Sequence, residues 1–280
     1  MKHIRKILIA VLAVTVVISG GYAIKTALDY RQEEADYQEA QDTFVTIVTP
    51  TVETPTTTIP QVAPVTNGDI TTEAVEVVEP EPIVYDATEP DIGVDFQSLI
   101  AVNGDIIGWL YCPGMNISYP LLQGETNQTY INTTYKGTYS AAGSIFADYR
   151  IEGNFTDLNT VLYGHNMKSD TMFGQLQDYR QASFAALHPY FFILTPNGYL
   201  RYEVCYALLT DASSSVYDYN FSQEGSFASH IAMLDSRTLY HTAYTATEND
   251  TIVTLSTCTG YTESERFVLV GRLAAWVITE

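Results

Sequence analysis

Residues 43–93 decide how much of this chain can build a core. Thr, Pro, Val and Glu dominate the stretch, prolines fall at 50, 55, 60, 64, 80, 82 and 90, and no Lys or Arg occurs between Arg31 and Lys136. Each proline fixes φ and removes a backbone donor, so neither a helix nor a strand ladder propagates through such a segment. The composition predicts an extended, disordered linker, which at about 3.1 Å per residue would reach on the order of 100 Å. Two pieces remain: residues 1–42, and a folded domain over residues 94–280.

The first piece opens on a basic end, residues 1–6, with Lys2, Arg5 and Lys6. Ile7 to Ile24 then runs without a charge. As a helix this run is about 27 Å long against a hydrocarbon core of about 30 Å, which predicts a transmembrane signal-anchor helix over residues 7–24. A cleavable signal peptide is the rival reading, although no clean A-x-A site follows the apolar run. The positive-inside rule puts the N-terminus in the cytoplasm and all that follows Lys25 outside, a single-pass protein of the cell membrane. Residues 25–42 read as an acidic stalk whose run Glu33, Glu34, Asp36 and Glu39 is a solvated face.

The net charge is −20, with 5 basic against 15 acidic residues up to residue 93 and 8 against 18 after it. Both halves are acidic, so nucleic acid and anionic lipid surfaces are poor partners. The N-terminal helix, not surface charge, is the expected membrane contact.

Over residues 94–280 the pattern is mainly β. Asp95 caps a short helix presenting Phe96, Leu99 and Ile100. Eight runs then read as strands: 106–112, 117–122, 144–147, 160–163, 191–195, 199–209, 251–255 and 267–277, with turn signals such as Pro113-Gly114 and Pro196-Asn-Gly198 between them. Eight short strands with few helices favour a barrel. Two interruptions stand out. Met172 to Leu187 reads as a helix packed over the barrel, and the 211–249 segment is too long for a plain connection and holds an amphipathic stretch with Phe227, Ile231, Met233, Leu234 and Leu239.

Chemistry concentrates near the end of the chain. The hairpin expected from Thr251-Ile-Val-Thr-Leu-Ser-Thr-Cys258 and Glu265-Arg266-Phe-Val-Leu-Val-Gly sets a thiol and a guanidinium across two rigid strands. A nucleophilic thiol needs a base or cation that favours the thiolate and donors aimed at the oxyanion formed on attack. Upstream, the strand before Gly164 delivers His165 into a loop, so His165, Cys258 and Arg266 are the candidate catalytic set. Cys112 and Cys205 sit in apolar strands and read as buried hydrophobes. An odd cysteine count with no CxxC pair signals no disulfide framework. No HExxH or HxxxH spacing occurs, so no metal or other cofactor is expected.

Thr254-Leu-Ser-Thr-Cys258 with Arg266, and Tyr163-Gly-His165-Asn-Met-Lys168 before Met172-Phe-Gly174, strongly resemble the class B sortases, cysteine transpeptidases of Gram-positive bacteria. The likeness continues through Asn103-Gly-Asp-Ile-Ile-Gly-Trp-Leu110, Ile117-Ser-Tyr-Pro-Leu-Leu122 and Gly143-Ser-Ile-Phe-Ala-Asp148, in the family's order, and covers the chain from about Asp95 onward.

The resemblance implies an eight-stranded sortase-type β-barrel with an N-terminal helix and a long helix-containing loop before the cysteine strand. It also implies an activity. Cys258 would attack a threonyl peptide bond in the C-terminal sorting signal of a secreted protein and form an acyl-thioester. His165 would move protons, and Arg266 would hold the carbonyl or oxyanion. The acceptor would be an amine of a peptidoglycan precursor or a pilin lysine. For substrate binding, Ser256 matches a family contact position, Leu122 is a groove candidate set against an ordinary core role, and Tyr217 or Tyr219 would contribute from the long insertion. Arg272 is the fallback for Arg266. Two other readings stay open on the residues alone: a cysteine peptidase that only hydrolyses, against which the His-before-Cys order argues, and a non-catalytic membrane-tethered β-domain.

Overall fold

A computed structural model describes residues 19–21, 31–32, 34–48 and 88–278. After a helix over residues 34–44 (α1) come β1 (Val45–Ile47), β2 (Ile92–Val94), α2 (Phe96–Val102), β3 (Ile106–Cys112), β4 (Ile117–Leu122), β5 (Ile145–Ala147) and β6 (Asn159–Tyr163). A 3-10 helix (Gly174–Arg180), α3 (Ala182–Leu187), β7 (Tyr190–Thr195), β8 (Gly198–Asp211), α4 (Ser226–Arg237), β9 (Ile252–Cys258) and β10 (Glu265–Ile278) complete it.

Strands β3 to β10 close into an eight-stranded barrel in the order β10-β8-β7-β3-β4-β5-β6-β9. Neighbours are antiparallel except β4 with β5 and β6 with β9. Closure leaves no free sheet edge. The mainly β class and the barrel are those the strand pattern and the resemblance implied.

Because side chains alternate along a strand, the barrel has two distinct faces. Val253, Leu255, Phe267 and Leu269 point inward and join Trp109, Phe191 and Leu162 in the main core. Their neighbours Ile252, Val268 and Val270 point outward and are covered by Phe227, Ile231 and Leu234 of α4, together with Val216 and Tyr217 of the segment before it. Burying each of these side chains contributes roughly 1.5–3 kcal/mol of transfer free energy. The long insertion is thus a second layer on the outer face of β6, β8, β9 and β10.

Three expectations change. Of the stretches read as an acidic stalk (25–42) and a linker (43–93), residues 34–48 and 91–93 lie against the domain or pair beside it. Tyr37, Ala40 and Phe44 of α1 are buried against the barrel, and the Gln41 amide donates to the Ser118 carbonyl at 3.0 Å. Of the acidic run read as a solvated face, Asp36 and Glu39 meet Lys136 at 3.5 and 2.9 Å. The stripe Tyr37, Ala40, Phe44 at i, i+3, i+7 supplies the apolar face that drives this docking.

The 100 Å reach is likewise not available between α1 and the barrel. Val45, Thr46 and Ile47 pair with Val94, Gly93 and Ile92, and Val48 N donates to Asp91 O at 2.8 Å.

The single helix expected over 172–187 is two pieces, broken where Gln181 takes an extended conformation (φ −106°, ψ 126°). Its first half is a 3-10 helix whose Leu176 and Tyr179, three residues apart, reach the core. The signal-anchor helix of 7–24 falls, apart from 19–21, outside the described residues. Among those described, no helix is long and apolar enough to cross a membrane.

Candidate active site

Two ladders bring the candidate residues into one row. In the parallel pairing of β6 with β9, Tyr163 lies opposite Ser256, so His165, two residues on, leaves β6 at the level of Cys258. In the antiparallel pairing of β9 with β10, Cys258 lies directly opposite Arg266. Adjacent strands are about 4.8 Å apart, which places the thiol between the imidazole's loop on one side and the guanidinium on the other. Alternation puts Ser256, Cys258 and Arg266 on the outer face, under the insertion.

The strand end is stitched to the histidine loop by Gly164 N to Ser256 O at 3.2 Å and by the Thr257 hydroxyl to Gly164 O at 2.8 Å. Together these residues line a cavity of about 250 Å³ with Asn127, Ile131, Phe146, Tyr163 and Tyr217.

Each polar group has a defined role in the geometry. The His165 Nε2 lies 2.6 Å from the Ile131 carbonyl. A carbonyl only accepts, so Nε2 carries the hydrogen and Nδ1 is the nitrogen left free to exchange a proton. Arg266 Nη1 donates to the carbonyls of Glu263 at 2.8 Å and Glu265 at 3.1 Å, which fixes the guanidinium plane against the loop that follows Cys258. The Gln177 amide holds the Cys258 carbonyl at 3.2 Å. Cys258 is half-buried, whereas Cys112 and Cys205 are buried; burial pushes the Cys205 thiol up to about 12 and the Cys112 thiol higher still. Only Cys258 combines access with a neighbouring cation.

The substrate-side candidates separate. The Ser256 hydroxyl is hydrogen-bonded to the Tyr217 hydroxyl at 2.9 Å, tying the insertion to β9. Both residues line the cavity. Tyr219 instead lies under the Arg150 guanidinium, 4.3 Å from its ring centre. Leu122 is corrected: it is fully buried in the barrel core and does not line the cavity. The run Tyr119-Pro-Leu-Leu122 lacks alternation, so its pattern carried no information about which leucine faces where. Arg272, opposite Ile252 at the far end of β9, is bound to Glu203 at 2.7 Å.

Two polar anchors escaped the sequence reading. Asp148, fully buried, accepts from Arg150 Nε and Nη2 at 2.8 and 2.7 Å, from Asn127 Nδ2 at 3.1 Å and from the Tyr163 hydroxyl at 3.0 Å. Burial alone would raise its pKa, but these donors outweigh burial and hold it below the usual carboxylate range. Asp148 thereby fixes two cavity walls, Asn127 and Tyr163. Asn159, also buried, donates to the carbonyls of Val216 at 3.2 Å and Asp218 at 2.9 Å and accepts from the Thr254 hydroxyl at 2.7 Å. It pins the start of the insertion to the barrel. The signal for Asp148 lay at the end of the Gly143–Asp148 motif, and for Asn159 at the start of the strand leading to His165. Arg150 lies two residues from Asp148, but Asn127 and Tyr163 are 21 and 15 residues away, and the partners of Asn159 lie 57 to 95 residues on.

Comparison with known proteins agrees with this architecture. The sortase domain family matches residues 110–274. Sortase B of Staphylococcus aureus is 27% identical over 275 residues, 98% of each chain. Sortase B of Listeria monocytogenes is 33% identical over 183 residues, 64% of this chain and 74% of that protein. The structure of a Staphylococcus aureus sortase B-substrate complex superposes with a TM-score of 0.61 at 32% identity, covering 65% of this chain and 85% of that one. With the thiol, imidazole and guanidinium aligned across β6, β9 and β10 of a closed barrel, these likenesses identify the chain as a member of the sortase family of cysteine transpeptidases, of class B.

Proposed function

We propose that this transpeptidase cleaves the C-terminal sorting signal of secreted proteins at a threonyl peptide bond and passes the new carboxyl end to an amine of the cell wall. The observation that carries the reading is the row formed by His165, Cys258 and Arg266. The Cys258 thiol gives its proton to His165 Nδ1, and the resulting thiolate attacks the threonyl carbonyl carbon as the carbonyl π electrons move to oxygen. Arg266, its plane held through Nη1, offers Nε and Nη2 to that oxyanion. On collapse the C–N bond breaks and His165 Nδ1 gives its proton to the departing amine, leaving a thioester on Cys258. The acceptor amine, from a peptidoglycan precursor or a pilin lysine, loses a proton to His165 Nδ1 as it attacks. The thiolate leaves, and a peptide bond replaces the one broken.

The cavity walls suit an extended peptide. Tyr163, Phe146 and Tyr217 give apolar area, and Asn127, Ser256 and Thr257 give hydrogen-bonding groups. The Staphylococcus aureus relative bound to substrate supports the same assignment. The charge-free run Ile7 to Ile24 behind a basic end supports a single-pass anchor with the barrel outside the cell.

The test is a panel of quenched threonine-containing sorting-signal peptides offered to the full chain and to Cys258→Ala, with and without hydroxylamine as acceptor. The expected result is cleavage of one motif, a mass adduct on Cys258, faster turnover with hydroxylamine, and loss of all three in the variant. Cleavage with water as the only acceptor would replace the transfer reading by hydrolysis. Absence of both turnover and adduct from a folded chain would refute it.

A further inference from the structure

Beyond the groups that touch substrate, His165 is held by a relay that begins on α1. The imidazole's acceptor, Ile131 O, lies in the short segment from Tyr130 to Thr133. That segment is gripped on both sides by one residue: Ser144 N donates to Tyr130 O at 3.0 Å, and the Ser144 hydroxyl donates to Thr133 O at 2.7 Å. Gly143 lies against the same segment so closely that a Cβ there would come within 2.3 Å of Ile131 O, and its φ of +57° favours glycine as well.

Tyr37, buried on the docked face of α1, completes the grip. Its hydroxyl donates to the Gly143 carbonyl and lies 3.2 Å from the Ser144 hydroxyl.

A second arm reaches the same histidine from the other side. The Tyr37 ring meets Tyr119 edge-on, with centroids 5.3 Å apart. The Tyr119 hydroxyl accepts from Met172 N at 3.0 Å. Met172 bridges to Asn166, and Phe173 N donates to His165 O at 2.9 Å. Met172 sits at φ +54° and Asp170 at φ +59°, a conformation that costs a non-glycine residue on the order of 1–3 kcal/mol and persists only where the surroundings impose it.

We propose that Tyr37 is a positioning residue for His165, acting through Gly143, Ser144 and Ile131 on the imidazole and through Tyr119 and Met172 on its loop. The proposal rests on the assignment of His165 as the proton-transfer group. It makes α1 part of the catalytic apparatus, although none of its described residues lines the cavity at Cys258. Misplacement of a reacting group by an ångström is enough to cost about a hundredfold in rate, so loss of one arm's hydroxyl should cost a fraction of that.

The test uses the full chain and Tyr37→Phe, which keeps the ring on Tyr119 and removes both hydroxyl contacts. Two readouts apply: kcat and KM on the best peptide, and the pH dependence of Cys258 alkylation by iodoacetamide, which needs no substrate. The titratable side chains lining the cavity besides His165 are Cys258, Arg266, Tyr163 and Tyr217, with no carboxylate. A change in the pH dependence of alkylation therefore reports on the thiol and imidazole. The expected result is a kcat lower by about three- to tenfold, KM within about twofold, a displaced alkylation midpoint, and no further effect when Tyr37→Phe is added to His165→Ala. Phe44→Leu, which trims α1 packing against Tyr135 without touching these contacts, should lower Tm and leave both readouts alone.

The proposal is overturned if Tyr37→Phe matches wild type in alkylation, or if its effect survives in the His165→Ala background. It is also overturned if Phe44→Leu at equal loss of Tm reproduces the effect. Should wild type form no adduct with any peptide, the peptidase reading fails, while the alkylation series still decides the positioning claim.

Discussion

Replacing Asp148 by Asn tests whether one buried carboxylate holds the substrate walls. The Asp148 side chain is 1% exposed and takes both Nε and Nη2 of Arg150, the Arg150 amide at 3.0 Å, the Asn127 amide and the Tyr163 hydroxyl. An asparagine keeps one acceptor oxygen and turns an NH₂ towards donors. Oriented to satisfy Nε and the backbone amide, it leaves Nη2, Asn127 and Tyr163 facing hydrogens. Breaking a buried ion pair costs roughly 3–5 kcal/mol. The Arg150 side chain is 34% exposed, so water recovers part of that, and the expected loss at pH 7 is about 2–4 kcal/mol.

Thermal or urea unfolding measures this loss. The sign with pH follows from the depressed native pKa: the stabilisation is present above the unfolded carboxylate value, about 3.9, and is lost as pH falls through the lower folded value. The gap between wild type and Asp148→Asn should therefore close in strong acid. Because Asn127 and Tyr163 are cavity walls, kcat/KM of the folded variant should fall by about tenfold, one hydrogen bond's worth of misplacement. A variant within about 0.5 kcal/mol of wild type at pH 7, or a gap indifferent to acid, would refute the reasoning.

Two further outcomes follow from burial. Leu122→Ala should cost about 2–5 kcal/mol in unfolding experiments while KM for peptide stays unchanged; a KM change without loss of stability would return Leu122 to the groove. His230 is buried against Phe221 and Phe227 with Nε2 unpartnered, and burial lowers its pKa to about 4. As pH falls from about 6.5 towards 4, the unfolded chain takes up a proton that the folded one refuses, so stability declines across that window. His230→Leu should flatten the decline, as read from Tm against pH, and an unchanged slope would count against it.

The barrel was legible because seven of its strands carry runs of β-branched and aromatic residues long enough to exceed any local ambiguity, and the turns between them carry Gly and Pro. Cys258, Arg266 and His165 were legible because strand ends fix their places. What failed was facing. Alternation names two faces without naming which is inside, and Leu122 lies in a run that does not alternate at all. Tyr37, Ala40 and Phe44 make a helical stripe, yet the carboxylates around them and the proline-rich segment after them suggested a stalk. The pairing partners that contradict that reading, Val94, Gly143 and Ser118, lie far along the chain, where periodicity gives no information. Asp148 and Asn159 were silent for the same reason: apart from Arg150, their hydrogen-bond partners lie on segments that only the closed barrel brings together.

The β1–β2 clasp also determines how the molecule carries tension. A pull on the end of α1 travels through Phe44 and β1, crosses three residue pairs to Ile92–Val94, and passes on towards the barrel through Asp95, whose amide donates to Phe44 O at 2.9 Å. While those three pairs hold, tension between α1 and the barrel passes across the clasp.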